Sequence, residues 1–193
     1  MQHEATQSVA AALGLFIAML AFATADARAR SSGPPRTEPI TLVVIHSTGG
    51  PTCDAQTGKP IWVGAGTLED NMRNIEAHPR LGIHYMIDRS GRLRASVPEE
   101  QIAHHVFRYS ARSLAIELIN DGDGRDPFPQ AQLDSLVSLV RDIQKRRGIK
   151  RDGFQRHSDL DAGLMPCDKT QRRKVDPGAA YPHEEILRRV FDR

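Results

Sequence analysis

The chain has 193 residues, enough for one domain with a single hydrophobic core. Its 26 basic and 24 acidic residues leave a formal net charge of +2, so the composition does not indicate a nucleic-acid partner and we predict none. The basic clusters at 145–147 and 172–174 are typical of solvated helix or loop faces, and no internal repeat is visible.

The N-terminal segment has the features of a secretory signal peptide. Residues 9–24 form an apolar run of 16 residues, followed by small residues in the string ADARA. A bilayer span needs roughly 20 apolar residues, so the run is short for an anchor. The absence of Lys and Arg before it leaves an uncleaved anchor as the alternative. We predict a signal peptide over 1–29 and export to the periplasm or secretion, with no stable membrane anchor after cleavage.

The rest of the sequence predicts a linker and then one domain. Residues 30–39 are rich in Pro, Gly and Ser and lack periodicity, which is typical of a linker, and residues 40–193 would form a monomeric domain. Alternating strand and helix patterns predict an α/β fold, with a mixed central β-sheet flanked by helices. The predicted strands cover 40–47, 83–88, 93–97 and 114–119, and the predicted helices cover 67–78, 129–147 and 183–191.

Local signals support these elements. Residues 40–47 are a continuous β-branched apolar run, the pattern of a strand buried on both faces. Thr67 with Asp70 three residues later resembles a capping box at a helix start. Gly148 would end the long helix. The segment 49–66 is expected to be an extended loop.

The two cysteines, Cys53 and Cys167, both lie in loop-like sequence. In an exported protein two such residues often form a disulfide, which would tie the loop after the first strand to a loop near the C-terminus. The alternative is two unrelated buried thiols.

Four polar residues stand out as candidates for a metal and acid–base site. His46 ends the first strand, and Glu117 lies inside an apolar strand, where a carboxylate is costly unless it is paired or functional. His157 and Asp176 lie near an Asp-Pro-Gly turn. A catalytic zinc ion takes three protein ligands and keeps one position open, and His46, His157 and Asp176 would supply that number. Histidines with purely structural roles are the alternative.

Four motifs in order carry a resemblance to a known family. VVIHST, GIHYMIDRSG, SLAIELIN and HSDLDAG…RKVDPG together resemble the zinc-dependent N-acetylmuramoyl-L-alanine amidases of type 2, which share a fold with phage lysozyme-type amidases and peptidoglycan recognition proteins. The resemblance spans essentially all of the chain after residue 39. It implies an amidase that cleaves the bond between N-acetylmuramic acid and L-alanine in peptidoglycan or muropeptides.

The resemblance also implies roles for individual residues. The zinc ligands fall on His46, His157 and Asp176. The catalytic glutamate falls on Glu117, which would act as general base towards metal-bound water. Lys174 would stabilise the oxyanion.

Two further residues are expected at the substrate groove. The family histidine that lines the groove is matched by His105, with His104 where Trp is usual. Trp62, the sole tryptophan, is a second candidate that would stack on a sugar or peptide or pack at the groove rim.

The sequence departs from the family pattern at three sites, one of which is the extended loop 49–66 that contains Trp62. His157 and Asp176 lie 19 positions apart, farther than in most relatives, and Asp159, Asp161 and Asp168 in the same stretch are alternative ligands. Ile83 stands where phage-type members carry a catalytic Tyr, so proton transfer would depend on Glu117. A binding module that lacks catalysis is the rival function. Retention of all three ligand positions and Glu117 favours the enzyme.

Overall fold

A computed structural model of the protein describes residues 33–192, so the predicted signal peptide and the first residues of the predicted linker lie outside the described part. The helices and strands run in the order β1 (Leu42–Ser47), β2 (Gly50–Cys53), β3 (Pro60–Val63), α1 (Leu68–Ala77), β4 (Tyr85–Ile87), β5 (Leu93–Ala95), β6 (Ser113–Leu118), α2 (Gln130–Arg147), β7 (Phe154–Arg156), α3 (His157–Leu160) and α4 (His183–Phe191). Within residues 33–192, no helix is both long and apolar enough to cross a membrane.

The central sheet is mixed, as predicted. Its strand order is β5-β4-β6-β1-β7, in which β4, β6, β1 and β7 are parallel and β5 pairs antiparallel with β4 at one edge. Strands β1 and β6 lie in the middle and are almost entirely buried, because their apolar residues cover both faces. The predicted hairpin and the four predicted strands of this sheet are therefore confirmed.

Helices cover both faces of the sheet. On one face α2 and α4 pack over alternate residues of the central strands, such as Val43, Ile45 and Ile116. On the other face α1 packs with Leu68 and Met72 over a smaller apolar cluster. The two faces differ in their polar content, since the α1 face is also the face of His46 and Glu117 by strand alternation.

The predicted helix boundaries are also confirmed. The Thr67 hydroxyl accepts the backbone N–H of Asp70 at 3.1 Å, which satisfies a free donor of the first turn of α1. Gly148 ends α2 with φ of 69°, a left-handed conformation that glycine adopts without the steric cost of a Cβ atom.

Three structured segments were not predicted from the sequence. Residues 49–66, expected to be a loop, contain the two-stranded antiparallel ribbon β2–β3, in which all of β3 is exposed. The short elements β7 and α3 were also missed. An exposed ribbon needs no apolar alternation, and elements of three or four residues are too short to show periodicity.

The described part of the predicted linker is bound to the domain. The Arg36 N–H donates to the Glu100 carbonyl at 2.8 Å, and the Ile102 N–H donates to the Pro34 carbonyl at 3.2 Å. The Arg36 guanidinium continues inwards to several backbone carbonyls between Glu99 and Ser113. We call residues 33–38 the N-terminal strap, because they lie against residues 99–113 of the domain.

Cys53 and Cys167 form a disulfide, which confirms the pairing and excludes the two-thiol alternative. The bridge joins the end of β2 to the segment between His157 and Asp176, across a sequence separation of 114 residues. In that segment Met165 is buried, and its N–H donates to the Gln171 carbonyl at 2.9 Å. The long interval between the two predicted ligands is therefore an ordered, cross-linked loop.

We predict that replacing both cysteines by alanine lowers the free energy of unfolding by about 2–4 kcal/mol, because the bridge restricts the unfolded chain. Urea denaturation of unreduced wild type and of the double variant measures the difference. Treatment with a phosphine reductant serves as the control, since it should destabilise wild type and leave the variant unchanged. Two titratable thiols in unfolded, unreduced wild type would contradict the prediction.

The buried carboxylate of Glu99 joins the strap region to two partly exposed arginines of α2. Its carboxylate accepts bonds from the Tyr85 hydroxyl at 2.7 Å, from Arg146 at 2.8 and 2.9 Å and from Arg147 at 2.8 Å. Burial raises the pKa of Glu99, but the bonds from Arg146, Tyr85 and Arg147 outweigh it and lower the pKa to about 2. The folded state therefore favours the ionised carboxylate.

This lowered pKa predicts an acid-dependent loss of stability. The contribution of Glu99 is present above its unfolded pKa of roughly 4.3 and is lost as the pH falls towards about 2. We expect Glu99→Gln to cost about 2 kcal/mol at neutral pH, and less in acid. Unfolding at a series of pH values tests this, with exposed Glu100→Gln as the control. An equal cost of Glu99→Gln at every pH would contradict the prediction.

Candidate metal centre and active site

A cavity of about 310 Å³ opens at the carboxyl ends of the central parallel strands. His46 of β1 and Glu117 of β6 are paired residues in the parallel register, so their side chains lie next to each other on the α1 face. Both line the cavity, as do His105, His157, Lys174 and Asp176. Ligand sites of open α/β sheets commonly lie at this end of the strands.

The three predicted metal ligands converge in this cavity. The Nδ1 atom of His46 lies 3.2 Å from Oδ2 of Asp176, and the Nδ1 atom of His157 lies 3.0 Å from the same oxygen. One potential ligand atom from each residue falls within 4.8 Å of the others, and all three residues are buried. Residues separated by as many as 130 positions are thus brought to one point.

Backbone geometry fixes two of these ligands relative to β1. Strand β7 pairs parallel with β1, and His157 follows directly as the first residue of α3. The Ser158 N–H donates to the Asp176 carbonyl at 3.0 Å, which holds the Asp-Pro-Gly turn against α3. Gly178 has φ of 90°, and a Cβ atom there would lie 2.6 Å from the Gly122 carbonyl oxygen, so only glycine fits this turn.

The protonation states in the cavity suit cation binding. Burial lowers the pKa of His46 to about 4, so its imidazole is neutral near pH 7. Burial raises the pKa of Asp176, but the bond from His157 and the proximity of His46 outweigh it and hold that pKa well below its usual range. Two imidazole nitrogens and one carboxylate oxygen are typical zinc ligands, and three of them leave a fourth position open. The residues present therefore fit a catalytic zinc ion.

Glu117 and Lys174 lie in the same cavity as this cluster. Burial and then the charge of Asp176 raise the pKa of Glu117 to about 8, while Lys174 acts in the opposite direction. A carboxyl group with a pKa near the working pH is suited to accept and return a proton.

His105 lines the cavity, and it also makes a contact that the sequence did not predict. Its Nδ1 atom lies 2.9 Å from Nε2 of His46, and its Nε2 atom lies 2.9 Å from the Ser113 hydroxyl. Burial and then nearby His46 lower the pKa of His105. The side chain is therefore bonded to a candidate metal ligand as well as exposed to the cavity.

Trp62 lies on the exposed strand β3 with 46% of its surface accessible. Its indole N–H donates to the Asp121 carbonyl at 2.8 Å, which holds the ring in place. The ribbon residues that line the cavity are Gly50, Pro51, Thr52 and Val63. A substrate contact by Trp62 therefore stays a prediction.

Each of the alternative acidic ligands has another partner. Asp159 pairs with Arg156. Asp161 pairs with Arg173 at 2.8 Å, and its Oδ2 atom lies 4.0 Å from Nε2 of His157, which makes it a neighbour of the cluster. Asp168 accepts bonds from Thr170 at the outer end of its loop. Of the four aspartates, Asp176 is the one in the histidine cluster.

The sequence matches the N-acetylmuramoyl-L-alanine amidase family over residues 36–179. One similar protein, the 1,6-anhydro-N-acetylmuramyl-L-alanine amidase AmpD of Haemophilus influenzae, is 28% identical over 174 residues, which cover 81% of this chain and 85% of AmpD.

Solved structures share the fold at lower identity. Escherichia coli AmiD, in complex with anhydro-N-acetylmuramic acid-L-Ala-D-gamma-Glu-L-Lys, has a TM-score of 0.59 and 23% identity, covering 78% of this chain and 57% of that chain. Drosophila peptidoglycan recognition protein SD has a TM-score of 0.55 and 17% identity, covering 79% of this chain and 82% of that chain. The predicted fold and resemblance are confirmed, and the chain belongs to the N-acetylmuramoyl-L-alanine amidase family that shares its fold with the peptidoglycan recognition proteins.

Proposed function

We propose that the protein is an exported, zinc-dependent amidase that hydrolyses the bond between the lactyl group of N-acetylmuramic acid and the L-alanine of the stem peptide. The observation that carries this proposal is the convergence of His46, His157 and Asp176 within 4.8 Å, in a cavity that also contains Glu117 and Lys174. Membership of the amidase family supplies the reaction class.

Each residue in the cavity has a distinct chemical task in this proposal. Zinc, when bound by His46, His157 and Asp176, supplies a Lewis acid that lowers the pKa of water to about 7. The Glu117 carboxylate accepts the proton of the attacking water and passes it to the leaving amine of L-alanine. The Lys174 ammonium donates to the oxygen of the scissile carbonyl as negative charge develops there.

The surrounding groove supports a substrate with both peptide and sugar parts. AmiD was solved with an anhydro-muropeptide, and AmpD is named for 1,6-anhydro-N-acetylmuramyl-L-alanine, so we propose peptidoglycan or muropeptides as the substrates of this chain. A second cleft next to the cavity carries Arg80, Arg108 and Phe107. Positive charge and an aromatic ring suit the carboxylates and glycan of such a ligand. His105 and Trp62 are proposed to contact it.

The disulfide supports the proposed location. Structural disulfides persist in oxidising compartments such as the periplasm and outside the cell. The bridge between Cys53 and Cys167 therefore accords with a signal peptide over 1–29 and with a site of action in the periplasm or beyond the cell.

We predict that Glu117→Gln lowers kcat on a muramoyl-peptide by at least about 100-fold, because the amide cannot act as a base. The variant should keep its bound zinc, since Glu117 is not in the ligand cluster. Rates and zinc content per chain are measured on the same preparation. Glu184→Gln, on the exposed side of α4, is the matched control and should change neither value.

Asp176→Ala should give the opposite pattern, with both zinc and activity lost, because one of three ligands is removed. Asp168→Ala is its control in the neighbouring loop and should keep both. Full zinc content and full rate in Asp176→Ala would show that the ligand assignment is wrong. An unchanged kcat in Glu117→Gln would show that Glu117 is not the general base.

A further inference from the structure

We infer that Ser113 and Arg36 are positioning residues for the candidate metal ligand His46, and that they act through His105. The inference rests on the proposed zinc site and adds to it a series of hydrogen bonds from the N-terminal strap to the candidate ligand His46. Arg36 bonds to the backbone carbonyl of Ser113, the Ser113 hydroxyl bonds to His105, and His105 bonds to His46. The orientation of each bond follows from the donors and acceptors available.

The Ser113 hydroxyl determines the direction of the first side-chain bond. Its oxygen lies 2.8 Å from the Tyr109 carbonyl, which can only accept, so the single hydroxyl proton points there. The same oxygen must then accept from Nε2 of His105 at 2.9 Å. A neutral imidazole carries one N–H, so His105 holds its proton on Nε2 and presents a lone pair at Nδ1.

This lone pair determines the tautomer of His46. The Nδ1 atom of His105 accepts from Nε2 of His46 at 2.9 Å, so the proton of His46 resides on Nε2. Its Nδ1 atom is then unprotonated and faces Oδ2 of Asp176 at 3.2 Å. Two acceptors facing each other fit a cation between them, and ring nitrogens that bind metal are commonly oriented by a bond at the opposite nitrogen. The other tautomer would donate Nδ1–H to Asp176 and block the ligand.

Arg36 holds the backbone of residues 110–113, which carries the Ser113 side chain. Its guanidinium donates to the carbonyls of Ser113 and Ser110, each at 3.1 Å, and also to that of Ala111. The Ser110 hydroxyl in turn accepts the His105 N–H at 3.2 Å. The position of His105 relative to Ser113 therefore depends on an arginine from the N-terminal strap.

The test compares zinc affinity and amidase rate in Ser113→Ala and Ser113→Thr. Ser113→Ala removes the acceptor of His105 and is expected to weaken zinc binding about 10- to 100-fold in chelator competition, with kcat/KM at limiting zinc falling in parallel. Ser113→Thr keeps the hydroxyl and should recover most of the loss. Ser135→Ala on α2, at the opposite face of the sheet, is the matched control and should bind zinc like wild type.

A spectroscopic readout separates positioning from general stability. In metal-free wild type, nitrogen-15 NMR of the imidazoles should show His46 protonated at Nε2, whereas Ser113→Ala should show a mixture of tautomers. Arg36→Lys, which keeps the charge but cannot contact several carbonyls at once, should weaken zinc binding more than the exposed Arg94→Lys. If Ser113→Ala folds poorly, Arg36→Lys still tests the part of the hydrogen-bond series that begins at Arg36.

Two results would overturn the inference. Zinc affinity of Ser113→Ala equal to that of wild type would do so, and so would His46 protonated at Nδ1 in metal-free wild type. Failure of the proposed function is a separate outcome, because wild type itself would then bind no zinc or leave muramoyl-peptides uncut. If wild type binds zinc and cleaves muramoyl-peptides, and Ser113→Ala has the same zinc affinity and rate, the inference is wrong and the proposed function still stands.

Discussion

The parallel register of β1 and β6 is the constraint on which the candidate site depends. It places His46 directly beside Glu117 at the carboxyl ends of the two most buried strands, with both side chains on the α1 face. A shift of one residue would turn either side chain into the apolar layer under α2 and α4. Strand β7 pairs on the other side of β1 and brings His157 to the same edge.

The polar groups at this edge form a coupled set. The bond from His157 lowers the pKa of Asp176, and the charge of Asp176 helps raise the pKa of Glu117 to about 8. Buried carboxylates and imidazoles are costly to desolvate unless they are paired with each other or with a cation. A divalent ion between the three candidate ligands would offset that cost, and it would also lower the pKa of Glu117 towards the ionised form that a general base requires.

Much of the fold and of the candidate site could be predicted from the sequence. Continuous apolar runs marked β1 and β6, and helical periodicity with Gly148 marked α2, because burial and capping leave local patterns. His46, Glu117, His157 and Asp176 were selected by their motifs, but their proximity depends on long-range strand pairing.

The contacts of the N-terminal strap had no local pattern. Arg36 lies in a Pro-rich stretch. Its guanidinium donates to backbone carbonyls of residues 99–113, and every sequence has such carbonyls, so no residue pattern indicates these bonds. The bond between His46 and His105 could not be predicted for a related reason, since a histidine in a loop sequence does not indicate its partner. The ribbon β2–β3 lacked alternation because its outer strand is exposed.

The central claim is a zinc-dependent cut between muramic acid and L-alanine. Mass analysis of the products from purified sacculi and from soluble muropeptides, with chelator and with zinc restored, tests it most directly. We expect intact stem peptides that begin with L-alanine and glycan that lacks peptide. Both products should disappear with chelator and return when zinc is restored. Muropeptides that are bound but left uncut by the zinc-loaded protein would contradict it and would indicate a binding module instead.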